Sequence, residues 1–246
     1  MIATDLALAL DPVLLAERAG LSPDPWQRDV LRSASPRMLL NCSRQSGKST
    51  TVALLSLHTA LYRPGSLCLM LSPTLRQSGE LFRTAKALLA AVGGAEMEEA
   101  TQLSLKLANG SRIVSLPGQE STVRGYAAVA LLAIDEASRV PDTLYAAARP
   151  MLAVSGGRLV ALSTPFTKRG WWYEAWRSDE LWERYEVPAT DCPRIPASFL
   201  EEERRSMGAF YFAAEYECQF LDSESQAFRR EDIDAAFSEG VEPWTL

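Results

Sequence analysis

A ten-residue segment near the N-terminus has the composition of a phosphate-binding loop. It reads NCSRQSGKST and covers residues 41–50. The usual loop pattern is G-x-x-x-x-G-K-[S/T]. Gly47 and Lys48 match the second half of that pattern, whereas Cys42 occupies the position of its first glycine. Because a G-K-S tripeptide also occurs by chance, an ordinary helix start is the alternative interpretation of this segment taken alone.

The chemistry expected of such a loop is nucleotide binding. Backbone N–H groups at the start of the following helix favour phosphate oxygens. Lys48 would reach the β- and γ-phosphates of ATP, and the Ser49 hydroxyl would bind Mg²⁺. Gly47 would let the backbone come close to the phosphates because it has no Cβ atom. The predicted nucleotide-binding residues of the loop are Ser43, Arg44, Gln45, Ser46, Gly47, Lys48, Ser49 and Thr50.

A second segment supplies the acids that this chemistry needs. The apolar run AVALLAIDEA contains Asp135 and Glu136 at its end, which is the form of a Walker B strand. Asp135 would hold Mg²⁺, directly or through water, and Glu136 would polarise the attacking water as general base. Two solvated acids at a strand end are the alternative for this segment alone. Its combination with the loop predicts an ATPase.

Three weaker segments fit the same site. LVALSTP ends a buried strand with Ser163 and Thr164, which could sense the γ-phosphate. In PDPWQRDVLR, the amide of Gln27 can donate to and accept from an adenine edge. In STVRGYAAVA, Arg124 precedes the Walker B strand and could act as an arginine finger supplied in trans. Taken singly, the three have simpler interpretations, namely a strand before a turn, helix packing and a surface arginine.

The remaining pattern predicts the elements that position these residues. Apolar runs alternate with helical segments, which indicates an α/β fold with a mainly parallel sheet covered by helices on both faces. Prolines and two amphipathic helical segments after residue 187 predict a small helical subdomain. We therefore predict an ATPase core over residues 1–187 and a lid subdomain with the start of a linker over residues 188–246.

A hairpin is predicted between the two halves of the sheet. The segment QLSLKLANGSRIVSL alternates apolar and polar residues around an Asn-Gly pair, which is a strong hairpin signal. Lys106 and Arg112 on this hairpin are candidate contacts for DNA, because backbone phosphates need cations on a projecting element. A solvated hairpin face is the alternative.

Composition argues against several other classes of protein. No run approaches the roughly 18 apolar residues that a membrane span needs. The net charge of −6 argues against non-specific nucleic-acid binding by the whole chain, although it permits a local basic patch. The four cysteines lack metal or disulfide spacing, which indicates a reduced, intracellular protein. The single histidine, His58, lies among apolar residues, and we interpret it as a packing or surface residue.

Together the motifs resemble the ATPase domain of the large terminase subunit of tailed bacteriophages, a family that packages DNA into empty capsids. The resemblance rests on PWQRDVL, SRQSGKST, VRGY ahead of LLAIDEA, and LSTPFTKRGWWYEAW, and it covers roughly residues 21–228. The Walker A loop of this family commonly carries R-Q-x-G-K, so Cys42 in place of glycine fits the family. The resemblance implies a P-loop NTPase fold of the ASCE type with a C-terminal helical lid.

The resemblance also implies roles for single residues. Gln27 matches the adenine-recognition glutamine, Arg44 a cis sensor of the γ-phosphate, and Arg124 a position proposed as the trans finger. Ser163 and Thr164 match the coupling motif that links hydrolysis to movement. The two Walker B acids match the metal-binding and catalytic carboxylates of an ATPase that uses ATP and Mg²⁺.

The family further implies an assembly. This is a homo-oligomeric ring, a pentamer, that acts on double-stranded DNA in the host-cell cytoplasm with a portal and a small terminase subunit and without a membrane. Full-length large terminases continue into an RNase H-like nuclease domain with a cluster of metal-binding acids. This chain ends at Leu246, and Asp232 and Asp234 are too few to form that cluster. We therefore expect no nuclease activity from this polypeptide.

Two alternative functions remain open on the sequence. A superfamily 2 helicase-like DNA-dependent ATPase also uses a glutamine motif and D-E-A-x, and LAIDEASRV resembles that form. The chain is, however, short for two tandem motor domains. A nucleotide-dependent scaffold would bind ATP without turnover, and the presence of both Lys48 and Glu136 argues against it.

Overall fold

One mixed β-sheet organises the chain. The computed structural model describes residues 2–94, 96–118, 123 and 125–222. In that part of the chain the strands are β1 (Arg37–Cys42), β2 (Leu67–Ser72), β3 (Met97–Ala100), β4 (Ser104–Leu107), β5 (Arg112–Pro117), β6 (Leu131–Asp135), β7 (Arg158–Ser163) and β8 (Glu183–Val187). The α-helices are α1 (Ile2–Leu10), α2 (Pro12–Arg18), α3 (Pro25–Arg32), α4 (Lys48–Tyr62), α5 (Leu75–Val92), α6 (Asp142–Ala148), α7 (Gly170–Arg177) and α8 (Ala197–Glu217).

The sheet topology confirms the predicted α/β class. The strand order is β3-β4-β5-β2-β6-β7-β1-β8. The six strands from β5 to β8 in this order are parallel, whereas β3 and β4 pair antiparallel at one edge. Strand β7 lies between β1 and β6, so the strand that ends in the serine-threonine motif separates the loop strand from the Walker B strand. Sequence patterning missed β3 and β8, the two outermost strands of this sheet.

Helices cover both faces of the sheet because its central strands are apolar on both sides. Along β1, Met38 and Leu40 pack into a core that includes α4 and α5, whereas Leu39 packs into a second core that includes α6 and α7. Strand β6 divides in the same way, with Leu131 in the first core and Leu132 in the second. This alternation follows from the two-residue period of a strand. Burial on both faces is expected for parallel strands.

The predicted hairpin is present at the antiparallel edge. Strands β4 and β5 pair in the register Lys106↔Arg112. In the turn, Gly110 has a φ of +82°, and the Asn109 side chain donates to the carbonyls of Ala60 and Leu61 at the end of α4. Left-handed backbone at that glycine is the conformation that an Asn-Gly hairpin requires. The hairpin is therefore fixed to the end of the helix that follows the phosphate loop.

The C-terminal region has the two predicted helical segments. Within α8, Gly208 has φ 76° and ψ 160°, which interrupts the helix. The helix ends at Glu217, and the carbonyl of the following residue, Cys218, accepts a hydrogen bond of 2.9 Å from Asn41 Nδ2 at the end of β1. The division of the chain at residue 187 stays a prediction. Asp232 and Asp234 lie outside the described residues.

Two smaller expectations also concern the fold. His58 is a half-buried packing residue whose Nε2 atom lies 3.1 Å from the Leu8 carbonyl, and burial lowers the pKa of its ring. None of the helices within the described ranges is both long enough and apolar enough to cross a membrane.

Candidate nucleotide-binding site

The phosphate loop connects β1 to α4 through two residues with left-handed backbone. Gln45 has a φ of +60° and Gly47 a φ of +91°. The left-handed backbone favours glycine at position 47, and a Cβ atom there would lie 2.8 Å from Gln27 Nε2, so that a larger residue would also displace this side chain. Cys42 is a completely buried residue of β1 and pairs with Val187. The sharp backbone turns therefore fall after Cys42, which explains why glycine is not needed there.

The loop faces the acids of the Walker B strand. Lys48, the first residue of α4, is 8% exposed, and its Nζ lies 3.7 Å from Glu136 Oε1. The Ser49 hydroxyl donates to Asp135 at 3.3 Å from Oδ2. The four side chains that the sequence assigned to phosphate, metal and water chemistry thus contact one another across two elements. Thr50, Ser43 and Ser46 lie in the same loop and helix start.

The environment of Asp135 suits a cation. Burial raises the pKa of this carboxyl to about 6, and the neighbouring charge of Glu136 acts in the same direction, while the charge of Lys48 lowers it. A divalent ion would remove this penalty on the charged form. The Asp135 carboxylate and the Ser49 hydroxyl are oxygen donors, which Mg²⁺ prefers and usually supplements with water and substrate phosphates. Among the described residues, no cluster of three or more His, Cys, Asp or Glu side chains could hold a metal by itself.

Backbone geometry positions the second acid. Glu136 has φ 50° and ψ 46°, and its N–H donates to Asp135 Oδ1 at 3.0 Å. A left-handed residue at a functional strand end is a recognised site of stored strain. The bond to Asp135 links the Glu136 backbone in this conformation to the Asp135 carboxylate.

The predicted sensor serine contacts the turn after Glu136. The Ser163 side chain is buried at the end of β7, donates to Ser138 Oγ at 2.8 Å and accepts from the Ser138 N–H at 3.2 Å. Thr164 follows directly. Sequence reasoning missed Ser138, although a polar residue two positions after the acids was available as a signal.

Gln27 lies against the outside of the phosphate loop. Its Oε1 accepts from the Asp24 N–H at 2.9 Å, and its Nε2 donates to Thr51 Oγ1 at 3.0 Å. The side chain is buried, and both ends of its amide are bonded within the chain. Adenine recognition by Gln27 therefore stays a prediction, and it would require an exchange of one of these bonds.

The other basic residues predicted from the sequence lie away from the Lys48–Glu136 contact or outside the described residues. Arg44 is 65% exposed at its side chain, and its Nε lies 2.9 Å from Glu215 Oε2, a partner on α8 that the sequence did not indicate. On the hairpin, Lys106 is paired with Glu98 of the neighbouring strand β3, and Arg112 is exposed. Four strands separate β4 from β1 in the sheet, so the hairpin lies away from the loop. Arg124 lies outside the described residues.

This fold and this constellation of side chains define a class of protein, the P-loop NTPases that carry a Walker B aspartate followed by a glutamate. Within that class, one family model matches residues 39–235, and its description is "Terminase large subunit, T4likevirus-type, N-terminal". The match covers most of the sequence, and the chain belongs to this family. The predicted resemblance is thereby confirmed, and the superfamily 2 helicase alternative is not favoured.

Solved structures agree with this assignment at the level of the fold. The chain is similar to the large terminase ATPase domain of Thermus phage P74-26, with a TM-score of 0.73, 22% identity and coverage of 84% of this chain and 97% of that one. For the large terminase of another thermophilic bacteriophage the TM-score is 0.66, with 18% identity and coverage of 81% and 54%. For the bacteriophage HK97 large terminase the TM-score is 0.65, with 15% identity and coverage of 81% and 51%.

The solved terminases differ in how much of their length this chain matches. The chain spans about half the length of the last two of these proteins, the second thermophilic-phage terminase and the HK97 terminase. The second thermophilic-phage terminase has been solved in complex with ADP and with ATP-γ-S. A search of curated proteins found no match to this sequence.

Proposed function

We propose that this chain is an ATP-hydrolysing motor domain that moves double-stranded DNA into a procapsid, with Mg²⁺ as the required metal. The proposal rests on one observation above all, the contact of Lys48 and Ser49 with Glu136 and Asp135. Membership of the terminase family supplies DNA as the cargo. Nucleotide complexes of the second thermophilic-phage terminase support ATP as the ligand.

The ion pair between Lys48 and Glu136 suggests how binding and chemistry are linked. At 3.7 Å the two side chains neutralise each other. When phosphates bind, Lys48 is drawn to them because their oxygens carry more negative charge than the single Glu136 carboxylate and can accept its hydrogen bonds at closer range. Glu136 is then free to accept a hydrogen bond from the attacking water, while Asp135 and Ser49 would hold Mg²⁺, which neutralises developing charge when bound. Thus the base becomes available only when the site is filled.

The raised pKa of Asp135 gives a first prediction. An acid whose pKa is raised to about 6 binds a proton as the pH falls through that value and then no longer serves as a Mg²⁺ ligand. We expect the Mg²⁺-dependent part of ADP affinity to decline below pH 6, whereas Mg²⁺-free affinity changes much less. Fluorescence titrations on either side of pH 6 measure this. In Asp135→Asn the Mg²⁺ contribution should be small at every pH; a wild-type profile in that variant would contradict the assignment.

Arg44 is proposed as the cis sensor of the γ-phosphate. To reach it, the exposed guanidinium would leave Glu215, to which it is held at 2.9 Å. Loss of a hydrogen bond to a charged group costs about 1.5–3 kcal/mol, which corresponds to roughly 10- to 100-fold in rate. Arg44→Ala is therefore expected to lower turnover at saturating ATP by that factor and to leave ADP affinity unchanged, because ADP has no γ-phosphate. Arg83→Ala, an exposed change on α5, is the matched control.

We propose that the structural change that accompanies hydrolysis is transmitted to the C-terminal region through β7. Ser163 bonds the turn that follows the catalytic acids, and the chain continues from β7 into residues 166–168. There, Leu221 donates its N–H to the Phe166 carbonyl at 2.7 Å and accepts from the Lys168 N–H at 3.0 Å. A displacement at Ser163 would therefore be transmitted by backbone to the segment after α8. Thr164 is the second residue of this proposed coupling motif.

The DNA-contacting surface and the assembly complete the proposal. Lys106 and Arg112 are candidate phosphate contacts, although Lys106 would first have to release Glu98, which lies 2.8 Å away. The working state is a homo-oligomeric ring, a pentamer, in the host-cell cytoplasm with portal and small-subunit partners.

A DNA assay tests the proposed motor function. ATP-dependent displacement of a third strand from a triplex reports movement along duplex DNA, and strand separation reports unwinding. The proposal expects displacement without separation in a preparation that forms rings. Robust unwinding would favour the helicase alternative, and nucleotide binding without any ATP-dependent movement would favour the scaffold.

A further inference from the structure

An arginine ahead of α8 contacts the backbone of the phosphate loop. Arg194 lies between β8 and α8, and its Nη2 donates to the Ser46 carbonyl at 2.8 Å. Its Nη1 donates to Asp24 Oδ1 at 2.9 Å. The guanidinium thus connects three parts of the chain that are far apart in sequence. None of the nucleotide-binding motifs in the sequence includes it.

The Asp24 carboxylate is buried, so it needs the positive charge of Arg194. Asp24 is 8% exposed, and a buried carboxylate without a partner is strongly unfavourable. Asp24 is also the N-cap residue of α3, and its N–H donates to Gln27 Oε1. Gln27 in turn donates to Thr51 Oγ1 in the first turn of α4. These hydrogen bonds join Asp24, Gln27 and Arg194 into one chain of contacts, which we call the brace. At one end Arg194 bonds the Ser46 carbonyl in the loop, and at the other end Gln27 bonds Thr51 in α4.

The brace closes around Gly47. A Cβ atom built on this glycine would lie 2.8 Å from Gln27 Nε2 and 3.2 Å from Arg194 Nη2. The Ser46 carbonyl and the Gly47 N–H belong to one planar trans peptide, so they point in opposite directions. By holding the carbonyl, Arg194 fixes the direction of that N–H. In a phosphate loop such N–H groups are the groups that bind phosphate.

From these contacts we infer that Arg194 is a positioning residue for phosphate binding, acting through the Ser46–Gly47 peptide, with Asp24 holding its guanidinium in place. The inference rests on the proposed nucleotide site and adds a residue to it. Arginine suits this position because two different nitrogens of its planar guanidinium bond the Asp24 carboxylate and the Ser46 carbonyl, whereas lysine would have to reach both acceptors from one nitrogen. The segment ahead of α8 thereby contributes to loop geometry without contacting the phosphate itself.

Binding measurements on a matched set of variants test this. Dissociation constants for ADP and for inorganic tripolyphosphate are measured by displacement of a fluorescent ADP analogue from the wild type, Arg194→Ala, Arg194→Lys and Arg205→Ala. Arg205 is an exposed arginine on α8 and controls for the change of charge. Thermal unfolding of each variant verifies that it is folded at the temperature of the titration.

We expect Arg194→Ala to weaken both ligands by a similar factor of about ten, the equivalent of one hydrogen bond to a charged group. Arg194→Lys should remain close to the alanine variant, and Arg205→Ala should match the wild type. In Asp24→Asn both affinities should fall less, and adding Asp24→Asn to Arg194→Ala should change little further, because the two residues act in one contact.

Three outcomes distinguish a failure of the Arg194 inference from a failure of the proposed nucleotide site. Unchanged affinity of Arg194→Ala for both ligands would overturn the inference and leave the nucleotide site intact. A loss confined to ADP would also overturn it, because Arg194 would then contact the nucleoside directly. Failure of the wild type to bind either ligand would instead contradict the proposed function.

Discussion

Glu136→Gln is expected to bind Mg²⁺-ATP and to hydrolyse it about 10²- to 10⁴-fold more slowly than the wild type, the usual contribution of a general base. Glutamine keeps the shape of the side chain but cannot take a proton from water. Its loss of charge also releases Lys48, which Glu136 holds at 3.7 Å. Affinity for the nucleotide should therefore be equal or higher while turnover falls.

The opposite signs of these two effects make the test specific. Phosphate release and nucleotide affinity are measured on the same preparation at saturating ATP. Glu202→Gln on α8 removes one carboxylate from an exposed position and is the control. If Glu136→Gln lost turnover only because it no longer bound ATP, Glu136 would belong to binding and another group would be the base.

Arg124→Ala is expected to lower turnover by roughly 10³- to 10⁵-fold at protein concentrations where subunits associate, the range for an arginine finger. Of its neighbours in sequence, Val123 is fully buried and Gly125 has a φ of +117°. Residues 126–130 connect Gly125 to β6, which ends at Asp135. For the wild type, the rate per subunit should rise with protein concentration, because a finger supplied in trans needs a neighbour.

Mixing two inactive variants distinguishes a trans finger from a cis role. Arg124→Ala retains its base and Glu136→Gln retains its finger, so mixed assemblies contain some sites with both groups. We expect partial recovery of phosphate release on mixing. A rate per subunit that is flat with concentration, together with no recovery on mixing, would remove Arg124 from the mechanism.

The parts of the site that were predictable are those with local sequence patterns. Fully apolar strands predicted the parallel sheet, and the carboxyl ends of parallel strands lie at one edge. The phosphate loop and Asp135-Glu136 could therefore be placed together before any distance was known, and the Ser49–Asp135 contact of 3.3 Å agrees with this. The hairpin was predictable because its Asn-Gly turn demands a particular backbone.

The missed parts depend on contacts between distant segments. Glu215 and Arg194 are ordinary charged residues in sequence, and only the folded chain brings them to Arg44 and to the Ser46 carbonyl. Strand β8 was missed because its sequence, ERYEV, has only one fully buried residue and lies at the sheet edge beside β1. No local pattern distinguishes such an edge strand from a polar connection.

Phosphate release in the presence of double-stranded DNA measures whether this site hydrolyses Mg²⁺-ATP. The measurement compares the wild type with Lys48→Ala over a series of protein concentrations. We expect release by the wild type that requires Mg²⁺ and rises with protein concentration, and release by Lys48→Ala at the level of the protein-free background. Wild-type release indistinguishable from Lys48→Ala at every concentration would contradict this expectation.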